Sequence, residues 1–447
     1  MNSIALKTDR ELSVDSFMRM FGILVLILLP FQHFPKTLYM NGYFAGVGSS
    51  YIEYISYVDE ATCILLYMAL ASFIIIRPGI YRLTWLPFTS WVLSFIFFAF
   101  ISMVVNRVSL AQGTFGIYDV VKNIAVVFPY ALLRYEEEDF FKTLKLLMVV
   151  VFIMALSGIV GELGAVLFVK GINIFVSGEK RFGLYRVIAL SGHGNWNYLA
   201  TFATLMFLIA YVKEKKSRFD GGNMLFTMML ILLSFSRQAW FGFLLAIVLI
   251  SGKMARWFIL LFSLCVLAIS SPYSDKMFAL FTTNLPLNAE ENFRLYAFIK
   301  SVTICFSHPV FGLGPGMFGG ITSLLFDSPI YNDWPAYFRF WARNSHGIDQ
   351  FWPIIWGEFG VIGMTLYSMI FIGIFTYLRN VERYFYHQRK IELSNIGRVL
   401  RFYMVALVVM GLAGGLNSAF VVYTYFALVG MYISVYLRSK ETSPGAS

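Results

Sequence analysis

The sequence predicts an all-α polytopic membrane protein, with about twelve transmembrane helices and one large extracytoplasmic loop containing amphipathic helices. Three observations lead there. Of 447 residues, 58% are hydrophobic, 18% aromatic and 13% charged, against about 25% charged in soluble domains. Apolar runs near ~20 residues, enough to cross a bilayer as helix, recur from end to end. Lys and Arg gather in alternate loops, as the positive-inside bias requires. The same composition excludes a water-soluble globular fold and a disordered chain, which needs few apolar residues. The three cysteines Cys63, Cys265 and Cys305 are too few for a disulfide scaffold. The net charge of +10 would point to nucleic acid in a soluble protein. Here it concerns the two faces of a lipid bilayer, and no nucleic-acid partner is expected.

The expected spans are 17–34, 60–76, 85–105, 116–133, 144–169, 195–212, 224–235, 239–251, 257–271, 353–378, 402–416 and 419–437. The seventh and eighth are short and share the tight Ser236-Arg237 junction, so they also read as one broken or re-entrant unit. The eleventh and twelfth meet at Asn417-Ser418. The first run is too long for a cleavable signal and lacks a small-x-small exit, so it reads as an anchor that stays. Twelve spans put both termini on one side. With that side cytoplasmic, 22 of the 35 Lys and Arg fall inside, most clearly in 213–218 and 379–401. The organisation is then helices one to nine in 1–271, an extracytoplasmic catalytic loop in 272–352, and helices ten to twelve in 353–447. A second outer region is 170–194. Long ordered loops carry function more often than they serve as spacers.

The outer segments hold an unexpected set of arginines: Arg107, Arg181, Arg186, Arg237, Arg294, Arg339 and Arg343. The planar guanidinium grips phosphate oxygens in a bidentate way that lysine cannot. A lipid-linked pyrophosphate is the anion this predicts. The bland alternative is snorkelling or local pairing, as between Arg294 and Glu290 or Glu291. Arg237 is the sharpest case, because it stands between two apolar runs, where a charge is costly unless it faces a cavity or a partner.

The long loop has its own order. Asn288 with Glu291 resembles a capping box, and 289–307 reads as an amphipathic surface helix ending at His308-Pro309. Phe311-Gly-Leu-Gly-Pro-Gly-Met-Phe-Gly-Gly320 follows. No βαβ context surrounds these glycines and Pro315 interrupts them, so a nucleotide loop is rejected; a tight backbone passage beneath a substrate is expected. Trp334, Tyr337, Phe338, Phe340 and Trp341 suit either sugar rings or the aromatic belt at the headgroups. Asn344 or Ser345 is expected to cap a helix whose first turn holds His346, neutral beside the helix dipole. Asp349 would orient that ring. Glu358 falls inside the membrane boundary, where an ionisable group is functional by default. The five histidines show no ligand spacing and the outer loops lack a DxD pair, so no metal or other cofactor is expected. No nucleophile elbow or Cys–His pattern occurs.

Three pieces together resemble the bacterial O-antigen polymerase and ligase superfamily, with Wzy-type polymerases most alike. They are Ser236-Arg237-Gln-Ala-Trp; Arg294-x-Tyr-Ala followed by His308-Pro309-x-x-Gly312-x-Gly314-x-Gly316-x-Phe318; and Ser345-His346 followed by Glu358-x-Gly-x-x-Gly363. They cover roughly 230–370. The resemblance implies metal-independent, inverting glycosyl transfer at the outer face of the bacterial inner membrane, from a glycan carried on undecaprenyl pyrophosphate. Arg237 and Arg294 match arginines that hold the pyrophosphate, and His346 matches the histidine near the acceptor. Arg181, Arg186, Arg339, Arg343 and Asp349 are the further substrate-binding residues expected. A polymerase would join repeat units into O-antigen, capsule or exopolysaccharide, beside a flippase and a chain-length regulator. A ligase would transfer the glycan to lipid A-core or protein. A transporter of lipid-linked sugars is the competing class, but transporters place polar chemistry at the midplane of repeated halves, whereas here it gathers in one outer loop.

Overall fold

A computed structural model describes residues 16–40, scattered positions in 61–68, and then 86–167, 175–181, 184–187, 189–191, 196–234, 236–251, 293–336, 338–340, 348, 350–412 and 419–442. Six of the described helices are long and apolar enough to cross a membrane: Ser16–Tyr39, Leu110–Leu132, Glu137–Val166, Phe351–His387, Ile391–Met410 and Phe420–Thr442. The protein is thus an all-α membrane protein in its main architecture. The one departure among the described residues is a small antiparallel hairpin, β1 (Val176–Arg181) with β2 (Leu184–Val187). It lies within 170–194, which the sequence left without an element.

In chain order the helices are α1 (Ser16–Tyr39), α2 (Thr89–Val105), α3 (Leu110–Ala125), α4 (Val127–Leu132), α5 (Glu137–Val166), α6 (Trp196–Val212), α7 (Arg218–Leu233), α8 (Arg237–Ile250), α9 (Phe293–Ser307), α10 (Ile321–Leu325), α11 (Phe351–His387), α12 (Ile391–Met410) and α13 (Ala419–Thr442). The expected span 60–76 is described only at scattered positions, and 257–271 lies outside the described residues. Most helices outrun their apolar runs. α5 starts at Glu137 rather than 144, because Glu137, Glu138 and Asp139 suit the positive end of its dipole. A capping box between Glu136 and Asp139 closes that end.

α13 is the central helix, with 89% of its apolar window buried against 33% in α11. Gly430 permits its close approach to α4, since a Cβ there would meet the Val127 carbonyl oxygen at 2.6 Å. Buried tyrosines stitch the bundle through backbone carbonyls. Tyr425 donates to Leu400 at 2.8 Å, Tyr432 to Leu393 at 3.1 Å and Tyr130 to Gly22 at 2.8 Å. Carbonyls satisfied within helices have a spare lone pair, so these hydroxyls find partners without unwinding a turn.

One end of the bundle is a belt of ion pairs. Arg19 meets Asp139 at 2.9 Å, Arg438 meets Glu136 at 2.9 Å and Lys390 meets Glu137 at 2.6 Å. Glu382 takes Arg401 at 2.8 Å and Arg398 at 3.3 Å, and Lys213 meets Asp220 at 2.8 Å. Every one of these cations belongs to the set that the hydropathy pattern assigns to a single face. The bundle therefore gathers the start of α1, α5, α7 and α12 and the end of α6, α11 and α13 at one end.

Candidate active site

The opposite end is organised around a break in α11. Gly360 has φ +63° and ψ −163°, outside the helical region. The bonds that the break releases are exchanged with the glycine segment after α9. Val361 N–H, which an unbroken helix would direct at Gly357, donates to the Pro309 carbonyl at 2.8 Å. The Gly357 carbonyl accepts Leu313 N–H at 2.9 Å, and the Glu358 carbonyl accepts Gly314 N–H at 2.9 Å. Backbone this close admits no Cβ: one at Gly312 (φ +60°) would lie 2.5 Å from the Glu358 carbonyl carbon, and one at Gly360 2.7 Å from the Pro309 oxygen.

On its other side the segment rests on α2 and α3. Ser102 Oγ donates to the Phe311 carbonyl at 2.7 Å and Gln112 Nε2 to the Gly316 carbonyl at 2.9 Å. The tight backbone passage expected of these glycines is present, as a seam with helices on both sides. Gly360 stands about 28 Å along α11 from Arg379, so with Arg379 at one boundary of a core about 30 Å thick, the break lies near the other. Irregular backbone at such a depth is tolerated only when protein satisfies it.

Phe318 and Gly319 form the node of this seam. Glu358, 1% exposed, accepts the Phe318 N–H on its carboxylate at 3.1 Å. Gly319 N–H donates to the Tyr331 hydroxyl at 3.0 Å. Ser323 gives its single hydrogen to the Gly320 carbonyl at 2.6 Å, so Tyr331 must donate to Ser323 Oγ at 2.7 Å. Burial pushes the Tyr331 hydroxyl up to about 12, against the pull of the Ser323 and Gly319 bonds, so it stays a neutral donor. The Gly319 carbonyl accepts Ile348 N–H at 2.8 Å. That last bond ties the chain two residues after His346 to the node.

The starts of three helices meet nearby. Phe351 and Trp352 N–H, in the first turn of α11, both donate to the Gly411 carbonyl just past α12, at 3.1 and 3.3 Å. Gln238, next to Arg237 in the first turn of α8, donates to the Met410 carbonyl at 2.9 Å. Ser236 Oγ caps α8 by accepting Ala239 N–H at 3.1 Å. α9 runs beside α11 in the same direction, with Phe298 edge-on to Trp356 at 5.3 Å and the His308 carbonyl approaching Gly360. Its first turn, with Arg294, therefore points back toward the start of α11. The backbone positions of Arg237 and Arg294 come to the same end of the bundle, from segments far apart in sequence. Arg181 and Arg186 sit on β1 and β2. That hairpin docks on α5, where Val187 packs against Gly158 and Phe175 against Gly161.

Several expectations change. His346, Arg343 and Asp349 lie outside the described residues, as do Tyr337, Trp341, Asn288 and Glu291. α11 does not begin at Asn344 or Ser345. Its N-cap is Gln350, with extended φ −102° and ψ 122°, and Ile348 is non-helical. His346 thus precedes α11 in sequence rather than lying in its first turn, where the dipole would favour the neutral ring. The Gly411 carbonyl sets the later start by taking two of the first N–H groups. The aromatic cluster divides: Trp334 and Phe338 are buried with Tyr331, Ala297 and Phe318 in a small core of the loop, while Phe340 is 67% exposed. Trp334 and Phe338 are neither a sugar platform nor a headgroup belt. Arg339 donates to the carbonyls of Asn332 and Trp334, at 3.2 Å each, so its outer nitrogen closes a loop turn.

Sequence reasoning missed two groups. Asp119 and Lys122 pair at 2.9 Å within the span Leu110–Leu132, and Asp119 lies next to Gly320. Their i,i+3 spacing was the available signal. Gln350 Oε1 and Trp356 Nε1 are buried without a hydrogen-bond partner among the described residues, both at the start of α11. No family model matches the chain, and no curated protein matches it.

Proposed function

We propose that the chain is a metal-independent, inverting membrane glycosyltransferase that polymerises oligosaccharide repeat units carried on undecaprenyl pyrophosphate. In this reading the chain crosses the bacterial inner membrane twelve times with both termini cytoplasmic. The ion-pair belt faces the cytoplasm, and the break in α11 lies at the outer face. What supports it is the approach of the α8 start, which carries Arg237, the α9 start, which carries Arg294, and the first turn of α11 to one bundle end, opposite the belt; His346 stands four residues before Gln350 in sequence. Segments far apart in sequence that converge on one end of the bundle suit a single reaction centre.

The chemistry follows from the residue types. The acceptor sugar hydroxyl attacks the anomeric carbon of the donor, and the carbon–oxygen bond to pyrophosphate breaks. Pyrophosphate leaves with the bonding electrons, and Arg237 and Arg294 neutralise it, with Arg181, Arg186 and Arg343 as further binders. His346 takes the hydroxyl proton, oriented by Asp349. The partners are the lipid-linked donor and acceptor and the bilayer itself. The test is incubation of the purified protein with a lipid-linked repeat unit. A ladder of oligomers on a gel supports the proposal; unchanged substrate refutes it.

A further inference from the structure

We propose that Glu358 is a positioning residue for the transfer centre, fixing Ile348 at the approach to α11 through Phe318 and Gly319. The inference rests on the glycosyltransferase reading for the reaction it serves, but the latch itself stands on geometry. Its carboxylate accepts Phe318 N–H. The next residue, Gly319, accepts Ile348 N–H on its carbonyl and is held from the other side by the Tyr331 hydroxyl. Ile348 is 3% exposed and its side chain lies against Gly319, where a Cβ would come within 3.1 Å of it. Two residues before Ile348 stands His346. The segment on the other side, through Gly312 and His308, continues into α9 and Arg294. One carboxylate therefore ties the segment that follows α9 to the segment that leads into α11.

The chemistry asked of Glu358 is acceptance of a backbone hydrogen bond. It touches no reacting atom in this account. A carboxamide oxygen can take the Phe318 N–H in its place, whereas a methyl group leaves that buried N–H without a partner. Glu358→Gln should therefore rescue what Glu358→Ala loses. An acid, a base or a charged ligand contact would not survive that exchange.

The experiment uses the full-length protein in detergent, with two measurements on Glu358→Ala, Glu358→Gln and Tyr331→Phe. The first is amide hydrogen exchange, followed by mass spectrometry, in 312–320 and 348–352. The second is the rate of oligomer formation from the lipid-linked repeat unit. Glu358→Ala is expected to raise exchange in both segments and to lower kcat by ~10²-fold, the scale of an ångström-size misplacement, with KM within about threefold. Glu358→Gln should hold exchange and kcat near wild type. Tyr331→Phe, which loosens the same node from the opposite side, should act in the direction of Glu358→Ala and more weakly. Wild-type exchange and rate in Glu358→Ala would overturn the proposal. So would a Glu358→Gln as slow as Glu358→Ala while the loop stays protected, since charge would then be the requirement. A wild type with a protected loop but no oligomer defeats the glycosyltransferase reading instead, and the exchange arm still decides the latch.

Discussion

Glu358 and Phe318 are 40 residues apart in sequence, yet the carboxylate of one accepts the backbone N–H of the other at 3.1 Å. The bond closes a seam in which a glycine segment takes over hydrogen bonds that α11 gives up at Gly360.

The seam predicts that Gly360→Ala and Gly312→Ala are destabilising. Each would place a Cβ on a residue with positive φ and against backbone atoms 2.7 and 2.5 Å away. Left-handed backbone alone costs about 1–2 kcal/mol for an L residue, and the clash adds to it. Both variants should lower the thermal midpoint in detergent by several degrees. Gly221→Ala, where a Cβ meets nothing within 4 Å, should not lower it.

The arginine pair makes a sharper demand on chemistry. Arg237→Lys and Arg294→Lys keep the charge and lose the fork, so each should cost ~10²–10³ in rate while membrane expression stays normal. Full-length product from a well-expressed Arg237→Ala, Arg294→Ala double variant would end the pyrophosphate assignment.

His346 is tested by two substitutions. General bases are typically worth ~10²–10⁴-fold, so His346→Ala should abolish visible oligomers and leave donor binding intact. His346→Gln preserves a hydrogen bond without proton transfer. Activity in the Gln variant alone would recast His346 as a residue that positions the acceptor, and near-normal activity in both would reduce it to a loop residue.

Topology is tested with single cysteines at Asn332, exposed in the loop, and Gln388, exposed past α11, in a background lacking the three native cysteines. An impermeant thiol reagent on intact cells should label Asn332→Cys and spare Gln388→Cys. The reverse pattern would invert the protein.

Asp220 offers a pH prediction. Burial raises its carboxyl, but the bonds from Lys213 and Ser217 outweigh that and hold it below the usual carboxylate range. A group depressed in the folded state contributes stability above its unfolded value and loses it as pH falls through the folded one. The thermal midpoint should therefore fall on acidification below the ordinary Asp range, and Asp220→Asn should flatten that part of the profile.

Much of the architecture was legible because a bilayer leaves so few options. Apolar length marked the long spans, and the tight Ser236-Arg237 junction was readable before α8. The Lys and Arg bias grouped Arg19, Lys213, Lys390, Arg398, Arg401 and Arg438, which the bundle does gather at one end. Helix ends were legible only where polar residues announced them. Glu137 to Asp139 lie inside α5 because acidic first turns suit a helix dipole, which hydropathy ignores.

By itself the sequence determined that the chain enters a membrane as helices, which cations group together, and which arginines, glycines and acids recur outside the apolar runs. These follow from local composition and the cost of charge in hydrocarbon. Only the tertiary structure decided what the glycines are for, where α11 begins, and that Trp334 and Phe338 are core. Those depend on partners distant in sequence: the Gly411 carbonyl for α11, Pro309 for Val361, Ile348 for Gly319. A buried backbone group must find a hydrogen-bond partner, and the identity of that partner is a property of the assembled bundle, which no local stretch of residues encodes.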